Sequence, residues 1–148
     1  MSSGVPPYIV WKSEYSVREP TLDAQHQEIF QIINTLYGQI RSGVTDEEFY
    51  ELVEKAKGFA DRHFRTEERV MYDCGFPELD NHERAHRRYV EKVVALTPTK
   101  PRDSDERAYD LLSFLKQWWK NHVKRMDQKY VSYLQHLHHP VKAVGGDD

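Results

Sequence analysis

The 148-residue chain carries a net charge of -3, with 39% apolar and 30% charged residues, which leaves no electrostatic footprint for nucleic acid or for an anionic membrane surface. No apolar run approaches the ~18 residues needed to cross a bilayer, and the single cysteine, Cys74, excludes an intramolecular disulfide framework. The length suits one compact domain, and with no signal-peptide pattern at the N-terminus the expected compartment is the cytoplasm.

Residues 1–20 mix Pro6, Pro7 and Pro20 with Tyr8, Ile9, Val10, Trp11 and Tyr15. The stretch is too broken for a helix and too apolar for a free tail, so it is read as an ordered arm anchored by Trp11. From Thr21 to Arg41 a stripe of Leu22, His26, Ile29, Ile33, Leu36 and Ile40 follows the spacing of a bundle helix, ended by Ser42-Gly43. Thr45 with Glu48 is a capping-box signature. Behind it, Phe49, Leu52, Val53, Ala56, Ala60, His63, Phe64, Glu67 and Met71 mark a second helix, about 40 Å long at 1.5 Å per residue, stopped by Gly75 and Pro77. A third helix runs from Leu79 to Leu96 with His82, His86, Tyr89, Val93 and Leu96 inward. Pro98 and Pro101 fall in the longest connection, and Asp103 or Ser104 can cap a fourth helix with a stripe of Leu111, Leu112, Leu115, Trp118, Trp119, His122, Met126, Tyr130 and Tyr133. Residues 140–148 are expected to be a disordered tail. Four long helices with short connections predict an all-α, up-down-up-down antiparallel four-helix bundle over 21–139, preceded by the arm.

His63 and Glu67, like His82 and His86, stand four residues apart, which on a helix leaves them only about 40° apart on one face. In the expected topology His26 lies early in the first helix, His63 and Glu67 late in the second, His82 and His86 early in the third and His122 late in the fourth. All six fall at one level. So many buried imidazoles would each need a partner in a low-dielectric core, and a metal satisfies them together. Five imidazoles and a carboxylate exceed what a tetrahedral zinc uses, so two ions of higher coordination number fit better, and mixed imidazole and carboxylate ligands suit iron. The opposite end is an apolar core that includes Ile33, Leu36, Phe49, Val93, Leu111 and Leu115.

Asp23-x-x-His26, His63-Phe-x-x-Glu67, Gly75-Phe-Pro77, His82-x-x-x-His86, Trp118-x-x-Asn121-His122 and Asp127 together resemble hemerythrin and the bacterial hemerythrin-like domains over residues 10–134. The resemblance implies one iron held by His82, His86 and His122 and a second by His26 and His63. It also implies that Glu67, Asp127 and an oxo or hydroxo group bridge them, and that dioxygen, or a small anion such as azide, binds at the open position of the second iron. Asp127 comes from the resemblance alone. Five residues correspond to about 140° on an ideal helix, so periodicity pairs His122 with Met126, and reaching Asp127 needs a local helix distortion or a favourable rotamer.

By position, Ile29, Phe30, Phe64, Trp118, Trp119 and Val123 are expected to form an apolar oxygen pocket. Trp119 departs from the family's pattern, which usually has a leucine there, and it is expected to fill part of that pocket or its entrance. A rival reading takes His82-Glu83-x-x-His86 as the zinc-hydrolase motif, but it leaves His26, His63, Glu67 and His122 unexplained. A ferritin-like oxidase would need two Glu-x-x-His pairs, and only Glu83 with His86 fits. A di-iron redox, peroxide-handling or iron-sensing protein uses the same ligands. The expected protein is an oxygen binder rather than an enzyme, and nothing in the chain names a protein partner. Cys74 is read as inert, and His136, His138 and His139 as a solvated helix end.

Overall fold

The computed structural model describes residues 7–43, 45–97 and 105–137, with the side chains of all of these but 105–107. Four long helical rods make up the described chain: α1 (Pro20–Ser42), α2 (Asp46–Cys74), α3 (Leu79–Leu96), and a fourth that begins as α4 (Asp105–Asn121). The fourth rod passes through a π-helical turn, His122–Asp127, and continues as α5 (Gln128–Leu137). α1 packs on α2 and α4, and α3 packs on α2 and α4, so the rods close into an antiparallel four-helix bundle.

Local chemistry sets the helix ends. Pro20 occupies the first turn of α1, where its missing N–H costs nothing, and the Glu19 carboxylate accepts from the Thr21 and Leu22 amides. Gly43 ends that helix at φ 78° and Gly75 ends α2 at φ 71°, left-handed positions that a residue with a Cβ adopts at a cost. At the start of α2, Thr45 Oγ1 accepts from the Glu48 amide at 3.1 Å, and the Glu48 carboxylate accepts from the Thr45 amide at 3.1 Å, so the expected capping box is present.

The core divides into two parts. The larger runs from Ile33, Leu36, Phe49 and Leu111 up to Phe64, Trp119 and Val123; the smaller gathers Leu22, Met71, Phe76, Tyr130 and Leu134. The buried histidines and carboxylates lie where the two meet. Residues 7–19 cross α1 as an arm with a 3-10 turn at Ser13–Tyr15. Trp11 is half-buried with its edge against Phe30, while Ile9, Tyr15 and Val17 are the fully buried anchors. Asn34 pairs with both backbone groups of Ile9, at 2.9 and 2.8 Å. Asp23 accepts from the Ser16 hydroxyl at 2.6 Å and the Val17 amide at 2.9 Å. The capping role read for Asp103 or Ser104, the tail at 140–148, His138 and His139 lie outside the described residues, and His136 is exposed. Among the described residues no helix is long and apolar enough to cross a membrane.

Candidate metal centre

Seven ionisable side chains meet at one level of the bundle, none more than 3% exposed: His26 from α1, His63 and Glu67 from α2, His82 and His86 from α3, and His122 and Asp127 from the π-helical turn. They form two donor groups. Glu67, His82, His86 and His122 make one; His26, His63, Glu67 and Asp127 make the other; within each, the donor atoms lie within 4.8 Å of one another.

The carboxylates divide their oxygens between the groups. Glu67 Oε1 faces the Nε2 atoms of His86 and His122 at 3.1 Å and of His82 at 3.3 Å, while Oε2 faces His63 Nε2 at 2.8 Å. Asp127 Oδ1 faces His122 at 2.9 Å and His82 at 3.4 Å, and Oδ2 faces His26 at 2.7 Å and His63 at 3.7 Å. Each carboxylate thus points one oxygen at each side.

Asp127 reaches this position because the helix changes its winding. On an α-helix it would stand about 140° from His122. In the π-helical turn the bonding runs i to i+5, so residues five apart come round to the same face. Met126, the partner that simple periodicity suggests, is half-buried.

Charge on the metal-free cluster follows from these contacts. Burial alone would depress the His63 imidazole, but Glu67 and Asp127 overcome it and lift its pKa to about 10. His82 rises to about 9 against the same burial and through the same two carboxylates, and His122 also rises. His26 falls, because there burial outweighs Asp127. Burial would raise Glu67, yet His63 and His122 hold it well below the usual carboxylate range. Asp127 is pushed up by burial and by Glu67 but ends well below its ordinary value, held there by His122 and His26. Despite this attraction, His26 Nε2, His63 Nε2, His82 Nε2, Glu67 Oε2 and both Asp127 oxygens make no hydrogen bond. A buried polar atom left so costs about 1–3 kcal/mol. Cations held between the donors would satisfy all six at once, and the five imidazoles and two carboxylates exceed the needs of one tetrahedral ion. The residues fit a metal pair.

Outside the cluster, Gln25 and Glu68 hold two of the rings. His63 Nδ1 donates to Gln25 Oε1 at 2.6 Å and His86 Nδ1 donates to Glu68 Oε2 at 2.7 Å, which leaves each Nε2 free to bind metal. Neither was singled out from sequence, since a side chain that supports a histidine on another helix leaves no mark in one chain's periodicity. Phe64 stacks on His86 at 3.8 Å and 8°, and Trp118 on His122 at 4.4 Å and 13°. Trp119 is fully buried with its ring 5.6 Å from that of His63, and its indole N–H donates to Tyr89 Oη at 3.1 Å. Phe59, another residue not anticipated, lies parallel to the His63 ring at 5.9 Å and 10°. Ile29 and Val123 are fully buried in the same core, and Phe30 turns its ring toward Trp11 and Tyr15 of the arm. Glu83 is half-buried and belongs to neither donor group. Cys74 bonds weakly to the Met71 carbonyl at 3.6 Å, and burial raises its thiol pKa, so it has no thiolate character to make it reactive.

Residues 19–134 match the family model described as the hemerythrin HHE cation binding domain. The chain is 27% identical over 132 residues to a bacteriohemerythrin of Clostridium acetobutylicum, covering 82% of this chain and 98% of that protein. It is 32% identical over 134 residues to a myohemerythrin of Riftia pachyptila, covering 90% of this chain and all of that protein. With a hemerythrin-like protein of Naegleria gruberi the identity is 26% over 134 residues, at the same coverage.

Proposed function

The chain belongs to the hemerythrin family, and from that membership we propose that it is a di-iron protein that binds dioxygen reversibly, for storage, delivery or sensing. The observation that carries this reading is the division of Glu67 and Asp127, each with one oxygen toward either imidazole group. That division supports Glu67 and Asp127 as the two bridging carboxylates. His82, His86 and His122 would hold one iron and His26 and His63 the other, with an oxo or hydroxo group as third bridge. The side held by only two imidazoles, His26 and His63, would be the one with room for a ligand. An iron pair supplies the redox chemistry when bound: one electron from each ferrous ion and a place for dioxygen.

The chain's own residues do the rest. Gln25 and Glu68 fix the tautomers and ring planes of His63 and His86, so the donors need little rearrangement when the ions arrive. Trp119, Phe59, Ile29 and Val123 keep water from the His26 and His63 side, where it would compete with dioxygen. Phe64 and Trp118 cover the three-imidazole side, and Phe30 closes the pocket from the arm. No side chain is needed as acid or base, so the protein acts as a binder rather than an enzyme, with dioxygen and small anions such as azide as its ligands. A cytoplasmic location goes with this reading.

The optical spectrum of the anaerobically reduced protein, recorded before and after air and again after the air is removed, tests the proposal. An oxygenated spectrum that disappears on deoxygenation is expected, together with two irons per chain. Direct and lasting conversion to a ferric spectrum would replace oxygen binding by a redox or peroxide-handling role. A single zinc after iron-replete expression would overturn the iron assignment, and His122→Ala should lose at least the iron on its own side.

A further inference from the structure

Trp118 does two things at once. Its indole lies flat on the imidazole of His122, and the residue, half-exposed, lines a groove between α3 and α4. The groove is lined by Arg88, Tyr89, Glu91, Lys92, Phe114 and Trp118 and encloses about 440 Å³, within the range of small-ligand sites of roughly 300–1,000 Å³. Its floor is aromatic: Tyr89 lies 4.4 Å from Trp118 and stacks on Phe114 at 5.8 Å and 28°. Its rim carries Arg88 and Lys92, four residues apart on the exposed side of α3, against the single carboxylate of Glu91. Neither cation makes an ion pair among the described residues. A flat ring fits the floor, and an anionic group fits the rim.

We propose that this groove binds a small, planar, anionic electron donor of the reduced-flavin type and that Trp118 is the residue through which its electrons reach the iron pair. The proposal rests on the di-iron reading above. Restoring a ferric pair to the ferrous state takes two electrons, one into each ion. A flavin hydroquinone supplies both in two one-electron steps and is oxidised to flavin, its protons passing to solvent. The route is short: ring of the donor, indole of Trp118, imidazole of His122, metal. The stack requires no movement of the bundle.

Ferric, iron-loaded protein mixed anaerobically with the hydroquinone of flavin mononucleotide should be reduced at a rate that saturates with donor concentration. Lys92→Glu, remote from the metal donors, should keep iron content and azide binding while raising the half-saturating flavin concentration about tenfold through charge reversal at the rim. It should not slow reduction by reduced methyl viologen, a cationic donor. Trp118→Leu should lower the saturating rate several-fold, and Trp118→Phe, which keeps a ring on His122, should restore most of it. Independently of iron, oxidised flavin mononucleotide should lose fluorescence on binding the wild-type protein and lose less with Lys92→Glu. Unchanged flavin quenching and half-saturation in Lys92→Glu would overturn the groove. A wild-type rate in both Trp118 variants would overturn the electron route, as would flavin reduction that never saturates, which would point to a protein donor. Wild-type protein without iron would instead sink the di-iron reading, and flavin quenching would still judge the groove by itself. Should Trp118→Leu fail to hold iron, Trp118→Phe and Lys92→Glu decide.

Discussion

Glu67 is opposed by imidazoles through both of its oxygens, so its charge matters more than its shape. Glu67→Gln keeps the size but removes the charge and offers an amide nitrogen where an acceptor is needed; metal analysis should show loss of one or both ions. Glu83→Gln should change neither metal content nor spectrum, because that side chain stands outside both donor groups; the reverse pattern would revive the zinc-hydrolase reading. Trp119 is the second residue with a sharp expectation. Its ring fills space beside His63 and is pinned by Tyr89, so Trp119→Leu should keep both irons while azide binds faster and the oxygenated form autoxidises faster in stopped-flow measurements. The same change opens a cavity and strips Tyr89 of its donor, at a cost of about 2–3 kcal/mol in chemical denaturation. Unchanged ligand rates would remove Trp119 from the pocket. At this scale the histidines and Glu67 were legible because they share the helical period of the core. Gln25 and Glu68 were not, because their partner histidines stand on other helices, a contact that no single-chain spacing encodes; Phe59 stands four residues before His63 on α2, a spacing that does encode it.

Among the elements, the π-helical turn decides whether the centre is complete. The 23-residue α1 and 29-residue α2 were readable from apolar stripes, a capping box and terminal glycines, all local signals. The turn at His122–Asp127 was not readable from periodicity, since its cause is the burial of a carboxylate among imidazoles of other helices, which outweighs regular bonding. A π-turn amounts to one extra residue in an α-helix. Deleting exposed Lys124 should therefore let the segment wind as α-helix with His122 and Asp127 four apart and both still inward. Metal content should be retained and the helical circular dichroism unchanged. Deleting Lys120, upstream in α4, should instead rotate everything before it by about 100° relative to the site and lower both metal content and thermal stability. Equal damage from the two deletions would mean that the turn has a role beyond register.

For the molecule as a whole, the metal-free cluster acts as a set of ion pairs, and its contribution depends on pH. His63 and His82 have folded pKa values of about 10 and about 9 against an ordinary value of 6.5. Their stabilisation is complete below about 6.5 and is lost as pH rises through 9 to 10. Glu67 and Asp127 are depressed, so theirs is present above their ordinary values and is lost as pH falls below them; His26, lowered by burial, subtracts on the acid side as well. Thermal melts of metal-free protein should thus peak between about pH 5 and 6.5 and decline toward pH 10. Metal must displace the protons of His63 and His82, so loading should release protons and the alkaline decline should vanish in the loaded protein. A flat profile in the metal-free protein would mean that these imidazoles are neutral there.

Both donor groups end on the last rod of the bundle: His122 completes one and Asp127 the other. A chain growing from its N-terminus carries His26, His63, Glu67, His82 and His86 before either. The first group is then without His122 and the second without Asp127, and the Asp127 oxygen that faces the first group is missing as well. The full ligand set thus comes into being only when α4 and the turn have been made and docked. The order of the ligands along the polypeptide makes the complete donor set a late product of synthesis.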